Sequence, residues 1–200
     1  SMKIVCVSDT HNQHWKLDLP PGDILIHSGD LTFNGTSEEI KNFNNWLLSQ
    51  REKFNQIFVI AGNHDFLFEN SPEQARDILT NAIYLENSGF FYNNLHIWGS
   101  PVSPRFMDYA FNRDRGKDIK KYWDLIPVNT DILIIHPPPF GILDTIRTGI
   151  SVGCEELLKA IYRIKPKLVV FGHIHESYGL VEKDNIKFVN ASSLSYNYRF

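Results

Sequence analysis

The sequence predicts an α/β fold with a mixed sheet system, on three observations. Short runs of Ile, Val and Leu recur along the chain. Segments with helical spacing of apolar residues separate several of them. Two pairs of alternating segments flank turn residues. Continuous β-branched runs read as strands covered on both faces, and strands alternating with helices imply an α/β sheet.

The elements follow in order. Residues 4–7, 24–26, 57–60, 132–135 and 168–171 are the predicted buried strands. Residues 37–54 carry Ile40, Phe43, Trp46 and Leu47 at helical spacing. Thr36 is the predicted N-cap, with Glu39 completing a capping box and Glu38 adding negative charge where the helix dipole favours it. Ser71-Pro72-Glu73 reads as a second helix start, with proline at the first helical position. Residues 152–164 predict a third helix, stopped before Pro166. Asn93-Asn94 separates one predicted hairpin pair, and Lys183-Asp184-Asn185 the other. Residues 101–118 lack periodicity, and long irregular segments are often functional.

Composition bounds the rest. At 200 residues, the chain is long enough for one domain with a substantial core, expected to span 2–200. Its 42% hydrophobic content argues for a folded chain. A net charge of -3 argues against a long nucleic-acid partner, yet leaves room for a small phosphorylated ligand whose charge a metal offsets. Cys6 and Cys154 give no disulfide framework, and no apolar run reaches membrane-spanning length. No secretory signal is visible, so the expectation is a cytoplasmic protein without membrane contact; Ser1, ahead of Met2, is set aside as an addition. Nothing in the sequence fixes the oligomeric state.

Each predicted strand runs directly into polar residues of metal-binding type. The clusters are Asp9-x-His11, Gly29-Asp30, Gly62-Asn63-His64-Asp65, His136-Pro137 and Gly172-His173-x-His175. Ligands of α/β sheets bind beyond the carboxyl ends of the strands, so these clusters can meet in space. Glycine eases the turns and leaves room for a ligand. Asp9, His11, Asp30, Asn63, His136, His173 and His175 offer oxygen and imidazole donors and no thiolate, which suits manganese first, with iron or zinc as alternatives. They are too many for one tetrahedral ion and match two, with Asp30 bridging because a carboxylate has two oxygens. Taken singly, each cluster reads as a turn, a cap or a loop anchor. Jointly, in order and at strand ends, they read as a metal centre.

These motifs resemble the signature of calcineurin-like metallophosphoesterases, from Lys3 to about Ser193. Within that superfamily the chain is similar to the metallophosphoesterase-domain (MPPED) group, itself similar to class III cyclic-nucleotide phosphodiesterases. The residues carrying this are Gly22 to His27, Lys41 to Leu47, Val59 to His64, Leu79-Thr80-Asn81, Phe111-Asn112 with Arg115-Gly116, His136 to Pro139, Gly153-Cys154 and Gly172 to Glu176. The resemblance implies two mixed sheets packed face to face with flanking helices, a four-layer sandwich. It implies one ion held by Asp9, His11, Asp30 and His175, and a second by Asp30, Asn63, His136 and His173. It places His64 against the substrate phosphate, with Asp65 orienting it. Some members have Gly in place of His173 and Glu in place of Asp65; retention of His173 implies that both metal sites fill.

The implied reaction is hydrolysis of small phosphodiesters, cyclic nucleotides among them, by hydroxide generated between two metals roughly 3.5–4 Å apart. His64 would either donate a proton to the leaving oxygen or stabilise charge on phosphorus. A phosphomonoesterase acting on nucleotides or phosphoproteins is the alternative enzyme, and a non-catalytic scaffold of the same fold the alternative of another class. Arg105, Asn112 and Arg115, with Asn12, are candidate substrate contacts; arginine pairs with phosphate and aromatics stack on bases, although a packed loop with solvated arginines explains 101–118 equally. His27 is expected to be packed, His96 at the surface, and His14 exposed near the mouth of the site.

Overall fold

The computed structural model describes residues 2–192, so Ser1 and residues 193–200, including Ser193 and the end of the expected domain, lie outside the described residues. Two sheets form. β1 (Ile4–Val7), β2 (Ile24–Ser28), β3 (Gln56–Ile60) and β4 (Ile83–Tyr84) make a four-stranded sheet in chain order, with every pair parallel. The other strands are β5 (Ser88–Tyr92), β6 (Leu95–Ser100), β7 (Ser103–Pro104), β8 (Asn112–Arg113), β9 (Ile132–Ile135), β10 (Leu168–Phe171), β11 (Gly179–Lys183) and β12 (Ile186–Asn190). The second sheet runs β11-β12-β10-β9-β6-β5, with hairpins at both edges and parallel strands between them. Mixed pairing is thus confined to this sheet, which corrects the expectation of two mixed sheets: the strands of the other are joined by crossovers and run parallel.

The period-two alternation of each apolar run decides the layers. In β2, Ile24 and Ile26 face the other sheet, where they meet Ile132, Ile134 and Val170. Leu25 points the other way, onto Ile40, Phe43 and Leu47 of α1 (Ser37–Gln50). On the far side, Leu133, Ile135 and Val169 pack against Ile119 and Trp123 of α4 (Lys117–Trp123) and Leu157 and Ile161 of α5 (Glu155–Ile164). Two short helices, α2 (Phe66–Asn70) and α3 (Pro72–Ile78), follow β3. The result is helix, sheet, sheet, helix, the layering that the family resemblance implied.

Local chemistry explains the boundaries. Thr36 caps α1 and Glu39 closes the capping box. The helix ends at Gln50, short of residue 54, yet a turn returns Phe54 to the core, which is why its periodicity looked helical. α5 begins after residue 152 because Cys154 is bridged to Pro139. Both hairpin turns place two Asx residues at positive φ, Asn93-Asn94 and Asp184-Asn185. Residues 101–118 are less irregular than predicted: they contain the β7–β8 pair and enter α4. Among the described residues no helix is long and apolar enough to cross a membrane.

His14 corrects an expectation. It is buried, with ring centroids of Phe43 and Trp46 each 5.4 Å away, because residues 14–16 form a 3-10 turn against α1. Burial pushes its pKa down to about 4. The unfolded chain takes up that proton near pH 6.5, so the stabilisation is complete above that pH and is lost as pH falls towards 4. The loss amounts to about 3 kcal/mol. In chelator, the unfolding free energy of His14→Phe should therefore decline less over this window than that of the unsubstituted protein. Denaturant titrations at several pH values with parallel declines would contradict this.

Candidate metal centre

The five strand-end clusters converge. β1, β2, β3, β9 and β10 deliver their polar residues to one end of the sandwich, where the loops after β1 and β2 are zipped by Asp9 N–H to Gly29 O at 2.9 Å and His11 N–H to Asp30 O at 3.0 Å. The backbone is strained there: Asp9, His11, Asp30 and His173 all have positive φ. Such conformations persist only when the surroundings hold them, and they gather at functional sites. Two glycines permit the close approach. A Cβ at Gly172 would collide with the Asp9 carboxylate and the Ser8 hydroxyl, and one at Gly62 with Asp30 and His136.

Ligand-type atoms group in threes: Asp9, His11 and His175; Asp30, His136 and His173; and His11, Asp30 and His64, each within 4.8 Å of one another. Asp9 Oδ2 accepts from Ser8 Oγ at 2.5 Å and His173 N–H at 2.9 Å, while Oδ1 faces His175 Nε2 at 3.2 Å and His11 Nε2 at 3.8 Å. Asp30 Oδ1 accepts the His64 N–H at 2.9 Å. Its Oδ2 lies 3.7 Å from His11 Nε2 and 3.3 Å from His136 Nε2, so one oxygen faces both groups. Carbonyls set the rings: Thr32 O lies 3.1 Å from His11 Nδ1, and Ser28 O 2.9 Å from His136 Nδ1. That arrangement turns Nε2 of each ring towards the carboxylates.

Electrostatics follow from burial. Asp9 and Asp30 are almost wholly inaccessible. Burial works against their ionisation, but His175, His136 and His11 override it and hold Asp9 well below the ordinary carboxylate range. Burial likewise opposes ionisation of Asp30, and His136 above all holds it low. Burial also works against protonation of His136, yet Asp30 and Asp9 raise it to about 10. His173, desolvated beside His136, falls to about 4.

A cavity of about 590 Å³ opens above the cluster, lined by His11, Asp30, Asn63, His64, His173 and His175 at its polar end. Asp65 corrects a sequence expectation, because it does not orient the His64 ring. Its carboxylate accepts from the backbone of Leu31, Thr32 and Gly62 and from the Thr32 hydroxyl, tying the loops after β2 and β3 together. Burial and then Asp30 raise its pKa to about 7. The Phe33 carbonyl, 3.0 Å from Nδ1, holds the His64 ring instead. Glu39 in turn fixes that loop, accepting from Phe33 N–H at 2.7 Å and Asn34 N–H at 3.0 Å. No sequence signal marks Phe33 beyond its place three residues after Asp30.

Of the candidate substrate contacts, Arg105 and Arg115 line the cavity. Arg105 pairs with Asp114 at 2.6 Å, and Arg115 with Glu155 and the carbonyls of Val152 and Gly153. Asn12 and Asn112 do not line it. Asn12 Oδ1 accepts from Asn42, and Asn112 Nδ2 donates to the carbonyls of Phe106 and Met107. His27 is packed as expected, 2.9 Å from Thr10 Oγ1, and His96 is exposed.

A model of the calcineurin-like phosphoesterase family matches residues 2–177. The chain belongs to this family. It is 39% identical over 222 residues to metallophosphoesterase domain-containing protein 1 of Homo sapiens, covering 98% of this chain and 68% of that protein. It is 26% identical over 188 residues to a 3',5'-cyclic-nucleotide phosphodiesterase of Nostoc sp., covering 90% of this chain and 65% of that one. The crystal structure of TT1561 of Thermus thermophilus shares the fold, with TM-score 0.63 at 11% identity, covering 96% and 90% of the two chains.

Calcineurin-like phosphoesterases are metal-dependent, and the donor set here fits divalent cations. The Asn63 amide atom facing His136 Nε2 at 3.1 Å also lies 3.1 and 3.0 Å from the two Asp30 oxygens. With its nitrogen there the amide donates to these groups, and with its oxygen there it opposes the Asp30 lone pairs, which a cation among them relieves. Among the described residues, the ion-pair partners of Asp9 and Asp30 are all histidines. Gly172→Ala should therefore displace Asp9 and weaken Mn²⁺ binding on the order of tenfold or more, with the far-UV circular dichroism retained. Equal affinity by calorimetry would show that the close approach of Gly172 is not needed.

Proposed function

We propose that this protein is a phosphoesterase with two divalent cations, manganese first, that hydrolyses small phosphodiesters, cyclic nucleotides among them. The observation that carries this reading is that ligand-type atoms gather as Asp9, His11 and His175 and as Asp30, His136 and His173, with a third group joining the two through His11 and Asp30. Asp9, His11, Asp30 and His175 would hold one cation, and Asp30, Asn63, His136 and His173 the other. When bound, the cations supply Lewis-acid charge on phosphate oxygens and lower the pKa of water.

The protein's own groups do the rest. His64 lines the cavity beside His11, their ring centroids 4.9 Å apart, and lies 4.8 Å from the ring of Tyr109. With Nδ1 held by the Phe33 carbonyl, Nε2 is the atom left to face substrate. The protonated ring can give its Nε2 proton to a departing alkoxide or hydrogen-bond to charge on phosphorus. Asp65 holds the loop backbone from which His64 projects, so its part is positional. The Nostoc relative supports diesters as the substrate class.

The test is a panel of aryl phosphate mono- and diesters on Mn²⁺-reconstituted protein. Diesters should turn over faster than monoesters. His64→Ala should lower kcat by about 10²-fold or more with metal content unchanged. Faster monoester turnover would make the protein a phosphomonoesterase. No turnover with full metal content would make it a binding scaffold, and intact turnover in His64→Ala would remove the role given to that ring.

A further inference from the structure

The cavity has two unlike ends. Its floor is the metal-type cluster, while its walls carry Phe33, Phe106, Tyr109, Pro137, Ile146 and Val152. Both wall arginines are already engaged, Arg115 by three acceptors and Arg105 by Asp114. A second phosphate would compete with Asp114 and Glu155 for their charge. Gln13 Oε1, one polar group of the lining that a nucleobase could use, is taken by Lys16.

The apolar wall also runs out into solvent. Phe33 and Phe106 line the cavity, yet are 58% and 55% exposed. Met107, next in the chain, is 68% exposed. Ile150, also exposed, sits between the lining residues Ile146 and Val152, and its carbonyl accepts the Ile146 N–H at 3.0 Å. Large apolar groups held in water beside a binding cavity mark a contact surface.

The loop at 106–107 is held this way at a cost. Met107 has φ of 52°, an uncommon conformation for a residue with a Cβ. The buried Asn112 side chain donates to both the Phe106 carbonyl at 3.0 Å and the Met107 carbonyl at 3.1 Å. Phe111, also at positive φ, is anchored by its N–H to Glu69 Oε2 at 2.8 Å. A strained turn braced by a buried amide, with two apolar side chains outward, is the kind of rigid presentation that ligand clamps use.

We propose that the substrate carries a single phosphoryl group and an alkyl or acyl chain, the phosphate on the polar floor and the chain along Phe33, Phe106 and Met107 to the surface. This rests on the phosphoesterase reading above. Phosphodiesters with a hydrophobic chain are then preferred over nucleotides and over small polar diesters.

The experiment uses Mn²⁺-reconstituted protein and a series of p-nitrophenyl alkyl phosphates, methyl to octyl, below their micellar concentrations. Leaving group and phosphorus stay constant and only the chain grows. Each methylene fully removed from water contributes about fourfold. With partial burial along the rim, kcat/KM should rise by about tenfold or more from methyl to octyl. In Phe106→Ser/Met107→Ser, both sites being exposed, the octyl-to-methyl ratio should collapse towards one while the melting temperature holds. A flat or falling series, an unchanged ratio in the double variant, or faster turnover of 3',5'-cyclic AMP than of the octyl diester overturns the proposal and leaves the phosphoesterase reading standing. Absence of turnover across the whole series in metal-loaded protein defeats both.

Discussion

The rest of this structure depends on two carboxylates, Asp9 and Asp30, buried at the end of the sandwich with histidines for ion-pair partners. Removing an ionised carboxylate from water costs several kcal/mol unless partners compensate. Here the compensation is local. Ser8 and the His173 amide serve Asp9, and the His64 amide serves Asp30. Four imidazoles supply the opposite charge or the lone pairs that accompany a cation. Gly62 and Gly172, the left-handed backbone at four of the ligand-type residues and the zipped loops after β1 and β2 are the geometric conditions for that crowding.

Much of this was visible in the sequence because it follows from short-range pattern. The apolar runs showed their strands through β-branched content, and parallel strands put all their carboxyl ends on one side. The capping box at Thr36 and the Asx turns at Asn93-Asn94 and Asp184-Asn185 are local chemistry, and they formed as written. The polar clusters at the strand ends could be collected without knowing the sheet order.

What the sequence did not show depends on partners far along the chain. Asp65 sits beside His64, so an orienting role was the natural reading, yet its four donors come from Leu31, Thr32 and Gly62. Asn112 looked like a substrate contact because it sits among arginines, and its amide turned inward to brace its own loop. His14 follows a polar motif, and only the packing of a 3-10 turn on α1 buries it. The cavity divides in the same manner. Its floor is written in five motifs, whereas its apolar walls come from scattered loop residues that share no pattern.

The division between floor and wall also separates reaction from selectivity. On the reading proposed above, the floor would hold divalent cations and a phosphate, and the wall would decide what the phosphate brings along. Anomalous diffraction from crystals of the Mn²⁺-loaded protein shows directly whether two cations share this site. Two peaks roughly 3.5–4 Å apart, with Asp30 between them and His136 and His175 on opposite sides, are expected. A single peak, or two peaks that do not share Asp30, would contradict the two-cation centre.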